Sequence, residues 1–210
     1  MTPGARFDDL NSVTTRDKTV RLQLLKEQVK NCERCSLSRT RKHVVFGEGS
    51  PSARVLVVGE APGRDEDEQG RPFVGRSGQL LRKLLGESFA DLDSEIYIAN
   101  LIKCRPPNNR NPEPQEIDSC STYLAQQLDT VSPEVVLAVG AFAARTLLRT
   151  KLGIGEMRAK VYFDGDRTVV PTYHPAAALR GGPLVVTKMR ADISLVKLYL
   201  KGEVSTCPFP

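Results

Sequence analysis

Short apolar segments alternate along the chain with segments in which leucine and valine recur at helical spacing. The apolar segments are rich in β-branched residues and show no polar alternation, so we predict strands that are buried on both faces. The predicted strands are 54–59, 95–101, 134–140 and 168–172. The predicted helices are 17–31, 75–86, 111–128, 141–150 and 187–201. Strands that alternate with helices over short connections indicate a parallel sheet with helices on both sides.

The domain organisation follows from length and composition. The 210 residues suffice for one α/β domain, and no linker, repeat or low-complexity segment divides them. We expect a single domain at 17–203 between a flexible N-terminal segment, 1–16, and a flexible tail, 204–210. No apolar run approaches the ~20 residues of a membrane span, and the first residues lack the apolar region of a signal peptide. We therefore expect a cytoplasmic protein that contacts no membrane.

The charge of the chain bears weakly on its partner. The 30 lysine and arginine residues exceed the 25 aspartate and glutamate residues and give a net charge of +5, which favours a polyanionic partner. The basic residues gather in three regions, at 34–43, 103–110 and 180–190. Solvated faces of helices and loops explain each region equally well, so charge alone does not identify a nucleic-acid surface.

Four of the five cysteines have the spacing of a metal site. Cys32 and Cys35 form a CxxC pair, and fifteen residues separate Cys104 from Cys120. In a reducing compartment such cysteines are metal ligands more often than disulfide partners. Structural zinc sites usually close with a second CxxC pair, whereas iron-sulfur clusters accept irregular spacing. The spacing favours a structural [4Fe-4S] cluster, with zinc and then unliganded thiols as alternatives, and Cys207 stays outside the set.

A glycine-rich segment, GEAPG at 59–63, follows the first predicted strand. It matches neither GxGxxG nor the P-loop, and the acidic residues at 65–68 would repel phosphates, so a nucleotide cofactor is disfavoured. Its glycines allow the backbone to approach a flat ligand closely. Glu60, Asn100 and His174 each lie near the carboxyl end of a predicted strand, where functional groups collect in parallel sheets. Hydrogen bonding to loop backbone is the alternative role for Glu60 and Asn100.

Four features together resemble the family four uracil-DNA glycosylases. They are GEAPGRDEDEQGRPFVGRSGQLL at 59–81, the four-cysteine spacing, IANLIKCRPPNNRNP at 98–112 and YHPAAALR at 173–180. The resemblance implies a three-layer α/β/α domain with a central four-stranded parallel sheet, and a [4Fe-4S] cluster away from the reaction centre. It implies a monomeric prokaryotic enzyme, acting near the nucleoid, that flips uracil out of single- or double-stranded DNA. Such an enzyme hydrolyses the N-glycosidic bond, releases uracil and leaves an abasic site.

The same resemblance assigns catalytic roles to Glu60 and His174. Glu60 would position or activate the attacking water and stabilise the positively charged sugar, while His174 would donate a hydrogen bond to uracil O2 as negative charge develops there. Phe73 would stack on the flipped ring, and Asn100 would bind the O4 and N3–H edge of uracil. Cytosine presents donor and acceptor in the opposite order, so a fixed amide rejects it. Without the resemblance, a core position explains Phe73 equally well.

Four further residues receive supporting roles from the resemblance. Glu66 would shape the pocket where the methyl group of thymine falls, and the backbone amide of Ala61 would contact uracil. Leu179 would fill the gap that the flipped base leaves, and Arg180 would contact a phosphate. Here the chain carries AAALR at 176–180, where family members often have a bulkier sequence.

Other functions stay open on the sequence. A related glycosylase would act on hypoxanthine or xanthine. A relative that traps its DNA product covalently carries a histidine-bearing basic insert after PFVG, but here Gly75 leads directly into RSGQLLRKLL. A non-catalytic, metal-stapled nucleic-acid-binding module would explain the charge and the cysteines without using Glu60 and His174.

Overall fold

A computed structural model describes residues 14–163 and 167–208 of the chain. Its strands are β1 (Glu48–Gly49), β2 (Val55–Gly59), β3 (Ile96–Asn100), β4 (Val135–Val139), β5 (Tyr162–Phe163), β6 (Thr168–Thr172) and β7 (Cys207–Pro208). Its α-helices are α1 (Thr15–Lys30), α2 (Arg64–Gln69), α3 (Arg76–Ser88), α4 (Leu92–Glu95), α5 (Pro114–Val131), α6 (Ala141–Leu148), α7 (Ile154–Met157), α8 (Pro175–Gly181) and α9 (Pro183–Leu200).

Four parallel strands form the centre of one sheet. In spatial order they are β3, β2, β4 and β6, each parallel to its neighbour. All residues of these strands are buried, as their continuous apolar pattern predicts. The two-residue strands extend the edges, with β1 antiparallel to β3, β5 antiparallel to β6, and β7 parallel to β5. The predicted four-stranded parallel sheet is confirmed, and short strands lengthen it at both edges.

Alternate side chains of the sheet point into two separate apolar cores. On β2, Leu56 and Val58 belong to the core that α1, α5 and α6 complete, whereas Val55 and Val57 belong to the core that α3 and α9 complete. Alternation of this kind follows from the two-residue period of a strand. Helices therefore cover both faces of the sheet, and the predicted three-layer α/β/α arrangement is confirmed.

The helices differ from the prediction mainly after β6. We predict one helix at 187–201, but the structure has two, α8 and α9, which begin at Pro175 and Pro183. Proline is favoured in the first turn of a helix, where its missing N–H costs nothing. Gly182 separates the two helices with φ 72°, a conformation that glycine adopts without strain. The short helix α2 was also missed, because its acidic sequence has no apolar period.

The two ends of the described chain fall within the segments that we expect to be flexible, 1–16 and 204–210. The first helix begins at Thr15, two residues before its predicted start, and the hydroxyl of Thr14 caps it by accepting from the Asp17 amide. Residues 1–13 lie outside the described residues. At the other end, residues 207–208 pair with β5, so this part of the tail is joined to the sheet. No helix within the described ranges is long and apolar enough to cross a membrane.

Candidate active site

The carboxyl ends of β2, β3 and β6 bring three of the predicted residues to one edge of the sheet. Gly59, the last residue of β2, pairs with Asn100, the last residue of β3, and Glu60 follows at once. The strand β6 ends at Thr172, and His174 then precedes α8. A cavity of about 400 Å³ opens at this edge and includes all three polar residues. Their convergence is what parallel strand ends predict.

Seven of the eight predicted pocket and DNA-contact residues line this cavity. They are Glu60, Ala61, Glu66, Phe73, Asn100, His174 and Arg180. The eighth, Leu179, is absent from the lining, and 47% of its surface is exposed. An exposed leucine next to a cavity is compatible with contact to a base stack, but this role of Leu179 stays a prediction.

Asn100 lines the cavity and carries a buried, unsatisfied acceptor. The residue is 2% exposed, and its Oδ1 is the buried side-chain atom without a hydrogen-bond partner in the described part of the chain. Gly59 provides the space around it, because an added Cβ there would lie 2.4 Å from Asn100 Oδ1 and 2.5 Å from Phe73 Cζ. A buried unpaired acceptor is unfavourable, so a ligand that donates to Asn100 Oδ1 would relieve that cost.

The ring of Phe73 forms a flat wall of the cavity. Phe73 has φ 51°, a region that residues other than glycine rarely occupy. Arg82 supports this conformation, since its Nε donates to Phe73 O at 3.0 Å and its Nη2 donates to Pro72 O at 2.8 Å. The Phe73 ring centroid lies 6.4 Å from that of His174, with an angle of 35° between the ring planes. Phe73 also packs in the core, and its stacking on a flipped base stays a prediction.

The geometry of His174 selects one neutral tautomer. Its Nδ1 accepts a hydrogen bond from the Ala176 amide at 3.2 Å, which leaves Nε2 to carry the hydrogen of a neutral ring. Burial, and then the charge of Arg180, lower the pKa of His174 to about 4, and Glu66 opposes this shift. The ring is therefore an uncharged donor near neutral pH. Gly140, with φ 94°, makes room for it, because an added Cβ would lie 3.1 Å from His174 Cβ.

The two carboxylates of the cavity have different surroundings. Glu60 is half-buried, and burial raises its pKa. Glu66 is 8% exposed, and its carboxylate accepts from the amides of Gly63, Val74 and Gly75 at 3.1, 2.9 and 2.8 Å. Glu66 therefore ties the GEAPG loop to the loop before α3. These bonds are compatible with its predicted role in shaping the pocket.

The four cysteines of the predicted metal site line a second, smaller cavity. Cys32 and Cys35 follow α1, Cys104 follows β3, and Cys120 lies on α5. Arg41 Nη1 donates to Cys104 Sγ at 3.5 Å and to Cys32 O at 2.7 Å. Three distant segments therefore meet at these thiols. Within residues 14–163 and 167–208, no group of three or more histidine, cysteine and acidic side chains is close enough to hold a single metal ion.

Burial affects two of these four thiols. Burial raises the pKa of Cys104 to about 11 and also raises the pKa of Cys120. As bare thiols, Cys104 and Cys120 would stay protonated near neutral pH, whereas a bound metal would hold them as thiolates. Four thiols around one cavity are a donor set that fits an iron-sulfur cluster, whose corners are bound independently.

Known proteins with similar sequences identify the family of this chain. Residues 46–193 match the uracil DNA glycosylase superfamily. This chain belongs to that superfamily. A type-4 uracil-DNA glycosylase of Saccharolobus solfataricus is 41% identical over 88% of this chain and 89% of its own. The type-4 enzyme of Thermotoga maritima is 40% identical over 87% of this chain and 96% of its own. A type-5 uracil-DNA glycosylase of Pyrobaculum aerophilum is 33% identical over 70% of this chain and 72% of its own. The family four resemblance is confirmed.

In this member of the uracil-DNA glycosylase superfamily, a buried carboxylate holds the strand before His174. The sequence pattern did not reveal this residue. Asp192 on α9 is fully buried and accepts from Thr172 Oγ1 at 2.8 Å and Arg158 Nη2 at 2.7 Å. The Arg158 guanidinium also lies over the ring of Tyr173, 5.7 Å from its centroid. The Asp192–Arg158 pair therefore contacts both the last residue of β6 and the residue that follows it. A single acidic residue in a predicted helix gives no sign of burial, so Asp192 could not be found from the pattern.

A second wall of the cavity was also missed. The lining residues without a predicted role are Pro62, Gly63, Ser77, Pro106, Asn109, Arg110, Asn111 and Ala176. Half of them belong to the loop at 106–111, where Glu116 accepts two hydrogen bonds from Arg110 at 2.6 and 2.9 Å. This loop lies within a segment that carries the family resemblance. The position of this loop depends on contacts with α5 and not on a strand end. The sequence pattern therefore did not indicate that the loop lines the cavity.

Proposed function

We propose that this protein is a monofunctional DNA repair glycosylase that flips uracil out of DNA and hydrolyses its N-glycosidic bond. The products are free uracil and an abasic site. One observation carries the proposal: Asn100, whose buried Oδ1 has no hydrogen-bond partner, lines one cavity together with Glu60, Phe73 and His174. Membership of the superfamily and the type-4 relatives support it.

Recognition of uracil would use the Asn100 amide and the Phe73 ring. Uracil N3–H would donate to Asn100 Oδ1, and the amide nitrogen would donate to uracil O4. Cytosine carries an acceptor at N3 and an amino group at C4. The amide oxygen would then face an acceptor and the amide nitrogen would face a donor, so neither hydrogen bond could form. The ring of Phe73 would stack on the extruded base. Extrusion costs a few kcal/mol, least for mispaired or single-stranded uracil, so both strand forms are proposed substrates.

Cleavage would use the neutral form of His174 and the ionised form of Glu60. Negative charge develops on the departing uracil, and the Nε2 hydrogen of His174 would stabilise it at O2. Positive charge develops on the sugar, and the carboxylate of Glu60 would stabilise that charge and orient or activate the water. The burial-raised pKa of Glu60 suits a base that works near neutral pH.

The remaining site residues would position the DNA and the pocket. Arg180, exposed at the cavity rim, would contact a phosphate, and the exposed Leu179 would fill the gap left by the flipped base. The backbone amide of Ala61 would contact uracil. Glu66 would keep the pocket closed against the methyl group of thymine by holding two loops together.

The four cysteines would hold a [4Fe-4S] cluster; zinc, the alternative metal, would need the thiols to lie closer together. When bound, the cluster supplies a structural cross-link between α1, α5 and the loop after β3. The thiols lie in a cavity that shares no lining residue with the proposed active site. A monomeric, cytosolic enzyme is part of the same proposal.

A single assay tests the proposed function. Matched oligonucleotides that carry one uracil, hypoxanthine, xanthine or thymine are incubated with purified protein and then treated with alkali, which cleaves at abasic sites. We expect cleavage at uracil alone, in both single and double strands. Cleavage at hypoxanthine or xanthine would assign the enzyme to other deaminated bases. Binding without cleavage would indicate the non-catalytic module.

A further inference from the structure

Lys103 is a fully buried cation between the two cavities. None of its surface is exposed, and it lies three residues after Asn100 and directly before Cys104. Its Nζ donates to Asn100 O at 2.8 Å and to Gln127 Oε1 at 2.6 Å. It also lines the cavity of the four cysteines. One side chain therefore touches the end of the uracil-binding strand and the proposed metal site.

The charge of Lys103 needs a partner that its hydrogen bonds do not supply. Both of its acceptors are neutral, and no ion pair of the described residues includes it. A buried cation is strongly unfavourable unless a negative charge lies nearby. Lys103 lines the same cavity as the thiols of Cys104 and Cys120, which carry negative charge when they bind a metal. Metal-bound thiolates are permanently ionised, so a loaded site would supply the negative charge.

The other contact of Lys103 bears on substrate selection. Asn100 O lies on the backbone of the residue whose side-chain amide reads the base, and Asn100 Oδ1 has no partner of its own. Gln127, which holds Lys103 in place, itself donates to Phe46 O at 2.9 Å and to Tyr97 Oη at 3.3 Å. This buried network fixes the backbone of Asn100, and that backbone in turn aims the amide.

We propose that Lys103 is a positioning residue that joins the metal site to the uracil pocket. Its ammonium group holds the backbone of Asn100 and provides the counter-charge for the thiolates of Cys104 and Cys120. The first half rests on the proposed function, because it concerns base recognition. The second half does not, because it concerns retention of the metal.

A double-mutant cycle tests the link to Asn100. Lys103→Met keeps the length and apolar stem of the side chain and removes the donor, and we expect kcat/KM on uracil DNA to fall by about 10- to 100-fold, as for a misplaced catalytic group. In an Asn100→Ala background the same substitution should cost less than about twofold, because residues that act through one another are not additive. Independent losses that multiply in the double variant would overturn this half.

Lys18→Met is the matched control. Lys18 is half-buried and its Nζ donates to the backbone oxygen of Val131 at 2.8 Å, on the α1 and α5 surface away from both cavities. We expect this variant to retain wild-type kcat/KM and wild-type metal content. A loss in Lys18→Met equal to that in Lys103→Met would show that removal of any bonded lysine has the same effect, and would overturn the proposal.

Metal release tests the counter-charge without any activity assay. The protein as purified is mixed with a chelator, and bound iron or zinc is followed over time. We expect Lys103→Met to lose its metal about 10- to 100-fold faster than the wild type, as for other residues that support metal ligands. If Lys103→Met does not fold, Lys103→Gln replaces it, since an uncharged donor should also fail to retain the metal. Wild-type retention in the folded variant would overturn this half.

The outcomes separate this inference from the proposed function. A wild-type protein that excises no uracil would contradict the function, while the chelator assay would still test Lys103. A wild type that excises uracil, together with a Lys103→Met variant that matches it in rate and metal retention, would contradict the inference alone.

Discussion

A neutral imidazole is the form of His174 that the pocket stabilises, and the sign of its pKa shift has two consequences. The pKa in the folded protein, about 4, lies below the ordinary value of 6.5. Between these values the unfolded chain takes up a proton that the folded protein does not, so acidification costs stability in that window. The ring nevertheless stays neutral until the pH approaches 4, and Nε2 carries its hydrogen in both the neutral and the protonated ring. If activity falls on acidification before the pH reaches 4, another group must be titrating, and Glu60 is the candidate.

The pH dependence of excision should separate the two groups. Burial raises the pKa of Glu60 above its ordinary 4.5, so the carboxylate is lost first on acidification. We expect the wild-type single-turnover rate to be flat around neutral pH and to fall with an apparent pKa above 4.5. Glu60→Gln should be much slower and should lack this step, keeping only a decline near pH 4. An identical acid limb in both proteins would assign the titration to a different group.

The chain contains two histidines, which provide a direct comparison. His174→Ala removes the proposed donor to uracil O2, and we expect kcat to fall by about 100- to 1000-fold, the usual cost of one preorganised donor. His43→Ala is the control, because His43 is exposed and absent from the cavity lining. We expect it to excise uracil at the wild-type rate, and circular dichroism should show both variants folded. Equal rates in the two variants would remove His174 from the mechanism.

At the scale of elements, α3 contains two glycines with opposite surroundings. An added Cβ at Gly78 would lie 2.1 Å from Phe73 C and 2.4 Å from Phe73 O, so helix and loop can touch only because Gly78 has no side chain. At Gly86 the nearest atom, Leu92 Cδ1, would lie 4.0 Å away. The first turn of α3 therefore packs tightly against Phe73, whereas its last turn has free space at Gly86.

Alanine at each glycine tests this contact. Gly86→Ala should raise the free energy of unfolding by about 0.5–1 kcal/mol, because glycine is a poor helix residue, and should leave excision unchanged. Gly78→Ala should lower the free energy of unfolding by about 1–3 kcal/mol, as overpacking does, and should slow excision at least about tenfold by displacing Phe73. Denaturant unfolding and single-turnover rates measure both effects. Unimpaired excision in Gly78→Ala would show that the position of the ring is not critical.

The sequence predicts the buried strands better than the long-range contacts between side chains, because only the strands have a local pattern. Buried parallel strands are continuous apolar runs, so β2, β3, β4 and β6 could be predicted to within a residue or two, and Glu60 and His174 followed because strand ends converge. Long-range contacts leave no such pattern. Arg110 enters the cavity wall through Glu116 on another element, and Asp192 reaches the end of β6 from α9.

The whole molecule is joined by contacts between segments that are distant in sequence. The sheet and its two apolar cores bring together residues from Leu22 to Val196. The four cysteines add a joint at one side, between α1, α5 and the loop after β3. A metal at that joint would restrict the unfolded chain over a span of almost ninety residues. Its main effect should therefore be on the stability of the molecule as a whole.

Serine substitutions at two cysteines test this effect. Cys32 and Cys207 are both half-buried, but Cys32 lines the thiol cavity, whereas Cys207 lies in β7 with its Sγ donating to Val161 O at 3.3 Å. We expect Cys32→Ser to lose the bound metal and at least about 3 kcal/mol of unfolding free energy, lowering the melting temperature by about 6–12 °C. Cys207→Ser should keep the metal and melt within about 2 °C of the wild type, because a weak thiol donor is replaced by a hydroxyl. Metal analysis and thermal unfolding of the anaerobically purified proteins measure both. Equal melting temperatures in the two variants, with the metal absent only from Cys32→Ser, would show that the site binds metal without stabilising the fold.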